Sequence, residues 1–371
     1  MRIWLAPSAY APHRGGVEQL SAQLAAGLQL RGHVVTVITN RHPAELPVQQ
    51  VVDGVPVHRL PFRSPGRDLK ALVAFVRGWS SCLQCLHELV RTSGRPDVLH
   101  VHCPSSQTAV LTWWARRHGI PLVVTTHGEV AMDAHDIYRR SAYLRTVLRT
   151  ASHSASVLTA CSEWARTAAA GVAPRFVSAT VVRNAVDLSA WEGLPARPGQ
   201  DTVVAWGRLV PQKGFDLLLV AFAELRARRP SAALLLGGDG PERARLEGLA
   251  GSGVHFLGEL DRVGVRGLLA KADVVAVPSR IEPFGLVALE ALAAGRPVVV
   301  AARTGLAEAT GQVGVAVEVN DPTAFAAALE RLLDEPFDAA ATTAHLQTLS
   351  WGTLLDGYEA VYSSVEGPSR R

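Results

Sequence analysis

The sequence predicts an α/β protein of two domains, each a parallel sheet wrapped by helices. Three observations lead there. At 371 residues the chain is long for one domain and comfortable for two, each large enough to bury a core. Short apolar runs of strand length alternate with longer runs of helical period in both halves. Each half also opens in the same way, with a strand, a glycine-containing loop and a helix, although no short repeat is present.

In the first half, residues 3–8 read as a strand. A loop leads to a helix whose apolar positions Val17, Leu20, Leu24 and Leu28 keep helical spacing up to Gly32. A strand over 34–39 completes a βαβ unit with a right-handed crossover. Gly15 and Gly16 fall just before the helix, where paired glycines let the backbone approach a phosphate and serve a tight turn equally well. Residues 51–60 predict an edge strand, and 69–90 a helix with apolar residues over most of one face. Arg63, Arg67, Lys70 and Arg77 border that helix; a solvated face is the plain reading, and a membrane surface or an anionic acceptor the functional ones. Strands follow at 98–101 and 122–126. The second runs into His127-Gly128-Glu129, and a polar residue just past the C-terminal end of a parallel strand lies at the ligand-binding edge, which makes His127 the first catalytic candidate. A helix over 139–150 carries Arg139, Arg140, Arg145 and Arg149, strands are expected at 156–161 and 179–183, and residues 192–200 have linker composition. The N-terminal domain is therefore placed at 1–184 and the C-terminal domain at 185–350.

The second half restarts with a strand over 202–206, a loop holding Gly207, Arg208, Lys213 and Gly214, and an amphipathic helix over 215–228. Strands over 233–236, 254–257 and 273–278 alternate with helices over 242–250 and 263–270. Strands over 297–301 and 315–319 and a helix over 322–333 come next, and a helix over 351–362 has nothing left in its own domain to complete. Residues 279–295 are the chemically richest stretch. Glu282 sits in a strand-to-helix loop and Glu290 about two turns into the helix, and helical side chains lean back toward the N-terminus, so the two carboxylates can face one cleft. Between them Phe284, Gly285 and Leu286 place their amides at the helix start, which favours an anion. Carboxylates accept from hydroxyls and amides hold phosphate, so the stretch suits a sugar phosphate.

Composition narrows the classes. No uninterrupted apolar segment approaches the roughly 20 residues needed to cross a bilayer, and the first apolar run is too short for a signal-peptide core, so a cytoplasmic protein is expected. The net charge of +4 comes with no dominant Lys/Arg run, which argues against nucleic acid as a partner. Four cysteines make no disulfide scaffold, and Cys82 and Cys85 lie in a helical stretch without a second pair, as buried helix residues. His100 and His102 can share one side of a strand while Cys103 cannot, so no zinc site is expected there. Of 37 basic residues only Lys70, Lys213 and Lys271 are lysines, so a lysine at 213 suggests a need for a compact charge.

Four segments, in order and spanning nearly the whole chain, then carry a resemblance: Gly15-Gly16-Val17-Glu18, Thr126-His127-Gly128, Gly207-Arg208-Leu209 with Lys213-Gly214, and Glu282 to Glu290 with Phe284-Gly285 and Glu290-Ala291. The chain resembles the retaining nucleotide-sugar glycosyltransferases of family 4. That resemblance implies the GT-B fold, two Rossmann-like parallel-sheet domains facing a central cleft, with the acceptor on the N-terminal side, the donor on the C-terminal side and the helix 351–371 packing back on the first domain. It implies that Arg208 and Lys213 hold the diphosphate and offset charge on the leaving nucleotide. Glu290 would bind the ribose, and Glu282 the hydroxyls of a hexose-type sugar. Gly15 and Gly16 would approach the distal phosphate, His127 would contact the donor sugar, and Leu260, in Leu257-Gly258-Glu259-Leu260, would lie near the base. Retention by a front-face route is the family's favoured explanation. The chain has no Asp-x-Asp, so fixed cations are expected to replace a metal, and no cofactor is expected. The partners implied are a UDP- or GDP-sugar donor and an acceptor that is a small molecule, a glycan or a lipid-linked sugar, with peripheral contact at the inner face of a membrane as a further possibility. Competing readings are a nucleotide-sugar epimerase or hydrolase on the same architecture, and a non-catalytic partner subunit.

Overall fold

The computed structural model describes residues 1–13, 15–66, 68–132, 137–318 and 320–365; Arg67, the last residue of the expected strand 315–319 and the last six of the expected helix 351–371 lie outside the described residues. The chain divides into two compact units, Met1–Arg183 with Leu354–Arg371, and Asn184–Thr353.

The first unit runs β1 (Arg2–Pro7), α1 (Gly16–Leu30), β2 (Val34–Asn40), β3 (Gln49–Val52), β4 (Val55–Leu60), α2 (Leu69–Ser93), β5 (Val98–His102), α3 (Ser106–His118), β6 (Leu122–Thr126), α4 (Glu129–Met132), α5 (Ile137–Arg140), α6 (Ala142–Ser154), β7 (Val157–Ala160), α7 (Glu163–Ala170) and β8 (Thr180–Val181). Its sheet has the order β3-β4-β2-β1-β5-β6-β7-β8, parallel throughout except for β3. Residues 51–60 are thus not one strand. Asp53 (φ 49°) and Gly54 (φ 80°) adopt left-handed conformations and fold β3 back on β4 as a hairpin. The helix expected over 139–150 is likewise two, because the Ser141 hydroxyl accepts from the Leu144 amide and starts α6 afresh. Helix α3 lies in a stretch where the apolar period is weak, because it buries Gln107, Thr108 and Thr112 alongside Val110, Leu111 and Trp114. In the core, Trp4 of β1 stacks on Trp114 of α3 with ring centroids 5.2 Å apart.

The second unit runs β9 (Thr202–Trp206), α8 (Phe215–Arg228), β10 (Ala233–Gly237), α9 (Arg243–Leu249), β11 (Val254–Gly258), α10 (Arg262–Ala270), β12 (Val274–Val277), α11 (Leu286–Ala293), β13 (Val298–Ala301), α12 (Gly305–Thr310), β14 (Val315–Val317), α13 (Pro322–Asp334) and α14 (Ala339–Gln347). Its sheet, β11-β10-β9-β12-β13-β14, is wholly parallel among the described residues. Strand order therefore reverses between β9 and β12, the position where ligands bind in open α/β sheets. The linker-like stretch is tied to this unit: buried Asp273 accepts from the amides of Gly199 (2.6 Å), Gln200 (2.8 Å) and Thr202 (3.0 Å), and buried Arg296 donates to the carbonyl of Pro195 (2.6 Å).

Helix α15 (Trp351–Val365) buries Leu354, Tyr358, Val361 and Tyr362 in the first unit, where Leu355 packs on Gly27 of α1. Cys82 is buried in the α2 seam and Cys85 half-buried beside it, both as free thiols. His100 and His102 do share a side, their ring centroids 3.9 Å apart, whereas Cys103 turns its sulfur toward Glu129.

Candidate active site

In the second unit two loops leave the C-terminal ends of β9 and β12, on either side of the strand-order reversal. The first carries Arg208 and Lys213. A short 3₁₀ turn, Pro211–Lys213, ends at Gly214, whose φ of 67° is left-handed and where a Cβ would overlap the Pro278 carbonyl oxygen. That close approach brings the loop after β9 against the loop after β12. The Arg280 amide donates to the Gln212 carbonyl (2.8 Å), and the Arg280 guanidinium forks onto Asp216 in the first turn of α8 (2.7 and 2.9 Å) and reaches the Pro211 carbonyl (2.9 Å). This hydrogen-bonded pairing is the main reason the Asp216 carboxyl is held below its ordinary range. Between the latched loops Lys213 Nζ donates to Glu282 Oε2 at 2.6 Å, with 17% and 10% of the two side chains exposed. Arg208 is exposed and has no ion-pair partner among the described residues.

Phe284 is buried and Gly285, at φ 102°, is the N-cap of α11 with no side-chain cap, so the amides of Leu286 and Val287 at the helix start have no intrahelical acceptor. Glu290 lies on the same helix, partly buried. Desolvation pushes its carboxyl up to about 7, opposed by the charge of Arg262, which also stacks over Trp191. Leu260, just past β11, rests on Gly237.

In the first unit Gly15 is the N-cap of α1 and Gly16 its first residue, so the pair straddles the helix start rather than preceding it; the Glu18 carboxylate folds back over Gly15. His127 follows β6 and is buried, and desolvation pushes it down to about 4, so the imidazole is neutral near pH 7. Its Nε2 shares a hydrogen bond with His102 Nδ1 (3.0 Å), while its Nδ1 has no partner among the described residues. Glu129 Oε2 accepts from the His127 amide (2.8 Å) and fixes the backbone there; desolvation raises that carboxyl to about 6.

Sequence comparisons decide the family. Residues 200–335 match the Glycosyl transferases group 1 family and residues 15–185 the Glycosyl transferase 4-like domain. A glycogen synthase of Mycobacterium tuberculosis is 29% identical over 416 residues, covering 100% of this chain and 96% of that one. A D-inositol 3-phosphate glycosyltransferase of Mycolicibacterium paratuberculosis is 33% identical over 384 residues, covering 94% and 85%. The chain belongs to the GT-B glycosyltransferases of the family 4 type. The fold agrees: HepE of Anabaena, solved with UDP and glucose, superposes with a TM-score of 0.74 at 20% identity, covering 98% of this chain and 100% of that one.

Within each unit of this glycosyltransferase the expected residues converge. Arg208, Lys213, Leu260, Glu282, Phe284, Gly285, Leu286 and Glu290 all lie at the C-terminal edge of the second sheet, and Gly15, Gly16 and His127 at the C-terminal edge of the first. Three features, one of them a pair, escape a reading of the sequence. Arg280 and Asp216 are 64 positions apart and carry no mutual signal, and His102 reads there only as a doubtful metal ligand. Arg262 is the third, legible only through its effect on Glu290. Among the described residues no group of three His, Cys, Asp or Glu side chains is placed to hold a metal ion.

Proposed function

We propose that the protein moves a hexose-type sugar from a UDP- or GDP-sugar to an acceptor hydroxyl, with retention of configuration and without a metal ion. The observation that carries this reading is the Lys213–Glu282 pair, 2.6 Å apart between two latched loops at the strand-order reversal, with Arg208 exposed in the same loop. Lys213 and Arg208 hold the diphosphate; the Lys213 ammonium leaves the Glu282 carboxylate for the phosphate, and Glu282 takes the sugar hydroxyls. Glu290 accepts from the ribose, Leu260 lines the base, and the amides of Phe284 to Leu286 face the donor's anionic part. The N-terminal unit holds the acceptor and contributes His127, whose unpartnered Nδ1 is free for a sugar hydroxyl, together with Gly15 and Gly16 beside the distal phosphate. That a related fold was solved with UDP and glucose supports a nucleoside-diphosphate donor.

In the front-face route the bond from the anomeric carbon to the phosphate oxygen breaks, the acceptor oxygen bonds to that carbon on the same face, and its proton passes to the departing phosphate. A double displacement would need a nucleophile on the face opposite the leaving phosphate; in this reading Glu282 and His127 are both given to hydroxyls of the donor sugar instead. Fixed cations stabilise the developing charge in place of a metal.

A thermal-shift screen with UDP-, GDP- and ADP-sugars identifies the donor, since a ligand that binds only the folded state raises the melting temperature. Arg208→Ala, Lys213→Ala and Glu282→Ala are each expected to lower transfer by about 10² to 10³. Arg208 is the cleanest of the three because its side chain is exposed and its loss disturbs no packing. Full turnover in all three variants would sink the assignment, and sugar release at a rate indifferent to added acceptors would favour a hydrolase.

A further inference from the structure

Helix α2 has two apolar faces. Gly78, Cys82, Leu86 and Leu89 are buried against the first unit's core. Leu69, Leu72, Val73 and Val76 are spaced i, i+3, i+4, i+7 and are exposed by 77%, 47%, 42% and 55%. At 3.6 residues per turn this second stripe is turned roughly 130° from the buried one, too far round the helix to be a fringe of the core. An apolar row at helical spacing facing solvent marks a surface that something covers.

Charge identifies what covers it. Arg63, Lys70 and Arg77 surround a groove of about 610 Å³ that Leu69 and Val73 also line, and none of the three cations forms an ion pair among the described residues. The helix carries no acidic residue from Leu69 to His87. The apolar surface also extends across a row of rings, Phe75 edge-on to Trp79 (5.8 Å) and Trp79 edge-on to Trp113 (6.3 Å), onto α3. There Trp113 is 45% exposed and Arg116 and Arg117 are exposed beside it. Apolar side chains in a stripe, cations alongside and an indole at the margin match the layers of a bilayer surface: acyl chains, anionic headgroups and the interface that tryptophan favours. No helix among the described residues is long and apolar enough to cross a membrane, so the contact is with the surface.

We propose that the N-terminal half of α2, with Trp113 of α3, docks the protein on an anionic lipid bilayer. Leu69, Leu72, Val73 and Val76 enter the acyl boundary while Lys70, Arg77 and Arg63 reach the headgroups.

The test is co-sedimentation of the full-length protein with vesicles of phosphatidylcholine alone and of phosphatidylcholine mixed with phosphatidylglycerol, at about 0.15 M and about 1 M salt. Wild type should partition at least about tenfold more to the anionic vesicles at the lower salt, and much of that preference should vanish at the higher. Lys70→Gln with Arg77→Gln should cost about fivefold per charge removed. Leu72→Ser with Val76→Ser should cost about tenfold or more while the salt-sensitive part persists. All four side chains are exposed, so unchanged melting temperatures should accompany both variants. Equal partition to the two vesicle types, or variants that bind like wild type, would overturn the proposal. So would a dimer, seen by light scattering without lipid, that Leu72→Ser with Val76→Ser dissolves, because a second copy would then be the occupant.

Discussion

Glu290 holds a proton up to about pH 7, against about 4.3 for an unperturbed glutamate, because burial disfavours its charge and Arg262 offsets only part of that cost. Between those two pH values the folded protein keeps a proton that the unfolded chain has released. Stability from this group therefore falls as pH rises through the window, and its full cost is present above it. Glu290→Gln should melt with wild type near pH 4 and above it at pH 8, a difference that calorimetry across pH reads directly. If Glu290 accepts from the ribose, donor binding should tighten from pH 6 to pH 8 in wild type and stay flat in the variant. His127 behaves in the opposite sense: its folded pKa is lowered to about 4, so it costs stability only as acid protonates the unfolded imidazole, and any step that needs it neutral should be insensitive to pH until roughly that value.

At the scale of elements, the loops after β9 and β12 form one object. Arg280 joins them through Asp216 and the Pro211 carbonyl, and the Gly305 amide, at the start of α12, donates to the Glu282 carbonyl (2.8 Å) in a space where any Cβ would overlap the Pro283 carbonyl oxygen. Arg280→Ala should raise the donor KM about tenfold, and most of that effect should disappear in an Asp216→Ala background, since residues that act through one contact are not additive. Gly305→Ala should lower both thermal stability and donor affinity by displacing the Glu282 loop. How legible these elements were in the sequence varies with how local their cause is. The loop with Lys213 and the loop with Glu282 announce themselves, because charged residues beside glycines at strand ends have few other uses. The latch does not, because an ion pair across 64 positions leaves no pattern along the chain. The β3–β4 hairpin had a readable signal in Asp53-Gly54, but the uninterrupted alternation on both sides of that turn hides it. Helix α3 was harder to read, since the polar side chains it buries break the apolar period.

For the whole molecule, alternation of strands and helices was enough to anticipate two parallel sheets. It said nothing of the polar core beneath α15. There Tyr362 hydrogen-bonds His100 Nδ1 (2.7 Å), His100 Nε2 meets Thr125 Oγ1 (2.5 Å), and Tyr358 packs edge-on against His102, the ring that holds His127. Tyr362→Phe should cost about 1 kcal/mol, or about 2 to 4 °C in melting temperature for a unit of this size. A chain stopped after residue 350 exposes the site that Leu354, Tyr358, Val361 and Tyr362 fill and should be recovered mainly as aggregate, judged by soluble yield.

That arrangement has a consequence for biosynthesis. Chains emerge from the ribosome at about 5–20 residues per second and domains generally fold as they appear. Here the second unit, Asn184–Thr353, is complete before the first can be, because the helix that closes the first unit follows it in the sequence. The nascent N-terminal unit must wait roughly 10 to 35 s at those rates with the His100–His102 surface uncovered, so the order of synthesis and the order of completion are reversed.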